Sequence, residues 1–224
     1  MKLVYSEFDY QIIFQENRLN VVCIESKEKF REFIAELKKQ LMQGEGKFVL
    51  SEDEKELDLS KHMELISDVF ELNFSQKKIL NRIYSIFESR SKDEDFYLDT
   101  CKIQADLKRY MEQLIMESDY PLHYTEEISI AGLCKFMDVG VDMEYETFPE
   151  QLIDYITVIH ELFGCCCFVF INLKSFLSAQ ELEAIHCFTS YKKIFLLLLE
   201  NQPPSQREEF EDYFFWDQDL CEIY

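Results

Sequence analysis

Three short runs of almost wholly apolar residues most constrain the fold of this chain: Asn20 to Ile24, Cys165 to Leu173 and Ile194 to Leu199. A strand with water on one face must place polar residues at every second position, and these runs do not. Strands buried on both faces are those of a parallel sheet covered by helices. The intervening sequence agrees. Ser26 to Met42 places Phe30, Phe33, Ile34, Leu37 and Leu41 at helical spacing, and Gly44 and Gly46 then precede a strand over Lys47 to Leu50. Ser178 with Glu181 forms a capping box that opens a helix to about Phe188, before the strand Ile194 to Leu199. Two strand–helix–strand units predict an α/β fold with a mostly parallel sheet.

Between these units the pattern changes. Lys61 to Leu72, Ser75 to Ser89 and Asp93 to Ser118 read as charged helices joined by short polar turns, and Ile128 to Met137 as a shorter one. Pro149 in a first turn starts a helix that runs to Phe163 and stops at Gly164. The expected organisation is an α/β domain over 1–60 plus 146–224, with a helical insertion over 61–145.

Charge limits function. With 44 acidic against 23 basic residues the formal charge is −21, so the surface as a whole repels phosphate. Nucleic acid would need a local basic stripe or bound divalent cations. On the helix from Ser26, Lys27, Arg31 and Lys38 fall within one narrow stripe at about 100° per residue, and Glu28, Glu32 and Glu36 lie away from it. Lys78 and Arg82 share a face one turn apart. The opposing reading of all of these is a set of long side chains flanking a core.

Other chemistries are poorly supplied. The strand ending at Ile24 continues into Glu25-Ser26-Lys27-Glu28 without a glycine, so no phosphate-cradling loop is present and no nucleotide is expected. The eight cysteines show no C-x-x-C pairing, and Cys165, Cys166 and Cys167 alternate across a strand as small buried hydrophobes. Their spacing suits free thiols in a reducing cytoplasm. The longest apolar run, Ile194 to Leu199, is far short of the ~20 residues of a membrane helix. His160 and His186 sit among apolar neighbours and read as core or interface residues. Carboxylates gather in two places, Glu117, Asp119, Glu126 and Glu127, and then Asp138, Asp142 and Glu144, neither at the spacing of an EF-hand loop.

The order of the segments is characteristic. DVFELNFSQKKILNRIYSIFE (68–88), FPEQLIDYITVIHELF (148–163), CCCFVFINLKSFLSAQELEAI, KKIFLLLLE and the tail DYFFWDQDL together resemble the Csn-two family of CRISPR adaptation proteins across nearly the whole chain. The resemblance implies an α/β head like that of P-loop ATPases but without a phosphate loop, and a helical leg inserted into it. It further implies a homotetrameric ring that threads double-stranded DNA ends without catalysis, beside the RNA-guided nuclease and the integrase pair that capture spacers. Calcium would assist, held by Glu117, Asp119, Glu126 and Glu127, although Pro121-Leu122-His123-Tyr124 interrupts an acidic turn that is denser in the family. Lys27, Lys38, Lys78, Arg82 and Lys174 are the residues expected to meet DNA. Two other readings stay open: a metal-dependent nuclease using acids such as Asp142 and Glu144, and an acidic adaptor or DNA mimic that binds only proteins.

Overall fold

The computed structural model describes residues 1–125, 127–204 and 207–223. The chain divides into two compact units, Met1–Leu72 with Tyr145–Tyr224, and Asn73–Glu144.

The first unit is mixed α/β and holds two sheets. β1 (Lys2–Tyr5), β2 (Gln11–Ile13), β4 (Phe48–Glu52) and β5 (Lys55–Leu57) form an antiparallel sheet in the order β2-β1-β4-β5. The larger sheet runs β10-β9-β3-β8-β7-β6, from β10 (Glu222–Ile223), β9 (Glu211–Trp216), β3 (Leu19–Ile24), β8 (Phe195–Glu200), β7 (Cys167–Ile171) and β6 (Met63–Ile66). All of its pairings are parallel except that of β10 with β9. The double-sided burial expected of the apolar runs is met, since every residue of β3 is buried.

One face of the larger sheet, through Val22, Ile24, Val169, Leu197 and Leu199, shares a core with the antiparallel sheet and with Phe33 and Leu37 of α1 (Lys27–Gln43). Tyr5 ties the antiparallel sheet to α1, stacking on its strand neighbour Phe48 at 4.6 Å and meeting Phe33 edge-on at 4.9 Å. Alternation sends Val21, Phe168, Phe170 and Leu198 to the other face. There α7 (Ala179–Tyr191) lies against β8, and α6 (Phe148–Phe163) against α7. α7 opens on the predicted capping box, Ser178/Glu181, and α6 has Pro149 in its first turn as expected, together with a second complete box, Thr147/Glu150.

Two expectations change. β4 is not the partner of β3 in a parallel pair: it lies in the antiparallel sheet, and its exposed Val49 shows the one-sided burial such sheets allow. The segment Lys61 to Leu72 is not a helix. α2 (Leu59–His62) is a single turn, and Met63–Ile66 then adds to the edge of the parallel sheet beside β7. Met63, Leu65, Ile66, Val69 and Leu72 mimic helical spacing, but the sheet offers this stretch a ladder of backbone hydrogen bonds along β7, which local spacing cannot reveal. The insertion therefore begins at Asn73, not at residue 61.

The second unit is helical: α3 (Lys77–Arg90), α4 (Glu94–Met116) and α5 (Ile130–Phe136). The Tyr84 hydroxyl donates to Val139 O at 2.7 Å, and Glu88 Oε2 accepts from Ala131 N at 3.0 Å, so α3 holds both ends of the α5 segment. No residue of α4 is buried.

Candidate nucleic-acid interface

Helix α1 is built to hold its side chains in place. Ser26 caps it by accepting from Lys29 N at 3.5 Å, and Gly44 closes it with φ +84°, a backbone region that glycine enters without a Cβ penalty. The helix buries Phe33, Leu37 and Gln40, with Phe30, Ile34 and Leu41 at the edge of the buried face. Gln40 has no signal in the sequence that marks it as structural. Its Nε2 donates to Phe48 O at 2.6 Å and its Oε1 accepts from Phe48 N at 2.8 Å, which pins α1 to the antiparallel sheet.

On the solvent side Lys27, Arg31 and Lys38 are all exposed, and among the described residues none of the three makes an ion pair. Their neighbour Lys29 behaves differently. It bridges Glu7 at 3.1 Å and Glu32 at 2.9 Å, bonds that raise its pKa and offset its positive charge. The rigid helix thus presents three cations on one face.

Lys78 and Arg82 are exposed on α3, one turn apart, in the second unit. Lys174 does not fit the expected role. It lies in a 3-10 turn, Leu173–Ser175, after β7, its ammonium is bound to the Glu211 carboxylate, and only 13% of its side chain is exposed. A phosphate would have to displace a buried carboxylate to reach it.

Around Lys174 the C-terminal ends of β7 and β8 form a cleft of about 350 Å³, where Lys174, Ser178, Glu200, Asn201 and Glu208 converge. Open parallel sheets bind ligands at this edge. Here the edge is acidic: Glu200, 4% exposed, accepts from Lys174 N at 3.0 Å, and burial pushes its carboxyl up to about 7. Asn172, in the left-handed region at φ +53°, accepts from Asn201 N at 3.1 Å and ties the two strand ends together. β3 passes through Glu25 and Ser26 straight into α1, with no glycine to bring backbone N–H groups onto a phosphate.

Of the four carboxylates expected to hold calcium, three lie among the described residues. Glu117 follows α4, Asp119 and Glu127 are exposed, and Glu126 lies outside the described residues. Among the described residues no three His, Cys, Asp or Glu side chains group closely enough to hold a metal ion, Asp142 and Glu144 included. The histidines have structural partners: His160 Nδ1 lies 2.7 Å from Cys165 O, and His186 stacks on Phe210 at 4.4 Å while burial lowers its pKa. Cys165 and Cys167 are buried, and burial raises the Cys167 thiol well above its ordinary range. Among the described residues, no helix is long and apolar enough to cross a membrane.

The molecule is thus of the class of mixed α/β proteins with a mostly parallel sheet, interrupted in sequence by a helical unit, and without a glycine loop at its first parallel strand. The family model CRISPR-associated protein (Cas_Csn2) matches residues 40–220, and the chain belongs to that family. No curated protein matches it.

Proposed function

We propose that this protein acts in CRISPR spacer acquisition by binding the ends of double-stranded DNA without regard to sequence and without catalysing a reaction. The observation that carries this reading, beside family membership, is the row of exposed cations Lys27, Arg31 and Lys38 on α1, which make no ion pair among the described residues. Phosphate binding needs a local excess of positive charge, and this row provides one on a chain of net charge −21. Lys78 and Arg82 would add cations from the second unit, whereas Lys174 would not.

In this reading the first unit is a head related to P-loop ATPases in which Glu25-Ser26 stands where a phosphate loop would be, and residues 73–144 form a leg. Four copies would close a ring around the duplex, in the cytoplasm, beside the RNA-guided nuclease and the integrase pair. Calcium would assist in this reading, with Glu117, Asp119, Glu126 and Glu127 as its expected ligands, and the test therefore includes it.

The test compares linear with closed circular duplex in gel shifts, with and without calcium, alongside the solution mass of the protein with and without linear duplex. Preference for linear DNA and a fourfold mass support the reading. Equal affinity for both topologies removes threading, a persistent monomer removes the ring, and no binding at low salt favours an acidic adaptor. Cleavage of labelled duplex in magnesium or manganese would make the protein a nuclease.

A further inference from the structure

The first unit also carries an exposed aromatic cluster, in stretches of sequence whose charge is opposite to that of the basic row on α1. Phe70 stacks on Phe148 with ring centroids 5.4 Å apart, and meets Phe176 edge-on at 4.9 Å. Phe70 is 63% exposed and Phe176 47%. Phe70 follows β6, Phe176 follows the neighbouring strand β7, and Phe148 opens α6. Two outward-facing phenylalanines backed by the half-buried Phe148 are an unfavourable surface for a protein in water unless something covers them.

The exposure is imposed by the fold. Val69 and Leu72 on either side of Phe70 are buried, and Asp68 Oδ1 accepts from Phe70 N at 2.9 Å, so the backbone is anchored while the ring is turned outward. Glu150 fixes the approach to Phe148 by accepting from Glu146 N at 3.0 Å and Thr147 N at 3.1 Å. The cluster sits on an ordered frame.

Charge selects the occupant. Residues 63–72 contain three carboxylates and residues 145–163 four, with no Lys or Arg in either stretch. Lys174, two residues before Phe176, is bound to Glu211. DNA would bring phosphates against these acids, and a second copy of this face would set carboxylate against carboxylate. A cationic side chain is attracted both by the acids and by the electron-rich faces of the rings. We infer that this aromatic face docks an arginine- or lysine-rich segment of a partner protein, with an apolar side chain seated against Phe70 and Phe176 and the flanking cations on the surrounding carboxylates.

The test uses the whole protein and a fluorescent peptide, Arg-Arg-Leu-Trp-Arg-Arg, read by anisotropy. Phe70→Ser and Phe176→Ser each weaken binding about tenfold or more, as loss of an aromatic anchor does. Glu71→Lys, a substitution at an exposed position, weakens it as well, whereas Tyr191→Ser, at a ring 85% exposed elsewhere, leaves it unchanged. Equal binding by all of these proteins, or none by the unsubstituted protein, overturns the inference. So does a dimer that Phe70→Ser dissolves, which would make the occupant a second copy, or a loss of duplex affinity with peptide binding intact, which would make the face a base-stacking platform. Failure of the α1 residues to bind DNA leaves the peptide result untouched.

Discussion

The ammonium of Lys174 rests on the carboxylate of Glu211, whose side chain has no solvent exposure. Removing one partner of such a pair strands the other charge in a poorly solvated place. Lys174→Met should therefore lower stability by roughly 3 kcal/mol, and adding Glu211→Leu should restore much of that loss. Denaturant unfolding of the two variants measures both effects. DNA affinity of the folded Lys174→Met protein should match that of the unsubstituted chain, because this cation is already committed inside the fold.

Lys27→Ala, Arg31→Ala and Lys38→Ala should leave stability nearly unchanged and weaken DNA binding uniformly across sequences. Removing one phosphate-binding cation should reduce the slope of log affinity against log salt by roughly 0.9. Salt titrations of the single and triple variants read this directly. An unchanged slope in the triple variant would remove α1 from the DNA path.

Glu200 makes stability depend on pH in a particular direction. Burial raises its carboxyl from 4.5 to about 7, so the folded protein holds this proton more tightly than the unfolded chain does. The stabilisation is fully present below about pH 4.5 and is lost as pH rises through 7, amounting to roughly 3 kcal/mol at most. Glu200→Gln keeps an oxygen for Lys174 N and cannot ionise. Its stability relative to the unsubstituted protein should rise between about pH 5 and 8 and level off above, as followed by urea unfolding across that range. Glu7, Glu88 and Glu181 have lowered pKa values and act in the opposite sense at more acid pH, in both proteins alike.

Gln40→Leu should destabilise the first unit by roughly 2–4 kcal/mol, since both backbone groups of Phe48 would be left without a partner in a buried place. Thermal unfolding measures it. Gly46→Ala should act on the same pair of bonds. A methyl there would come within 2.5 Å of Gln40 Oε1.

Much of the first unit was legible because its signals are local. The double-sided apolar runs announced β3, β7 and β8, Ser26 and Gly44 bounded α1, Pro149 and Gly164 bounded α6, and the Ser178/Glu181 capping box placed the start of α7. What escaped depends on partners distant in the chain. β6 carries a helix-like pattern and becomes a strand because β7 is beside it, more than 100 residues later. β9 lies in a tail that reads only as aromatic and acidic, yet it pairs along all of β3. The basic residues divide by the same logic. Periodicity alone brings Lys27, Arg31 and Lys38 onto one face, because i, i+4 and i+11 coincide on any helix. That Lys174 is bound to Glu211 while those three stay in solvent follows from the pairing of strands and turns, which no spacing in the sequence encodes.

The sequence by itself determined the α/β class, the helical interruption and the absence of a glycine loop after β3, because each is a matter of residue type over a few turns or a single strand. Only the tertiary structure decided which cations face solvent, where Glu200 is buried, and that Phe70 and Phe176 meet on the surface. Those properties depend on which surfaces packing leaves open to water, and residues far apart in the chain set them.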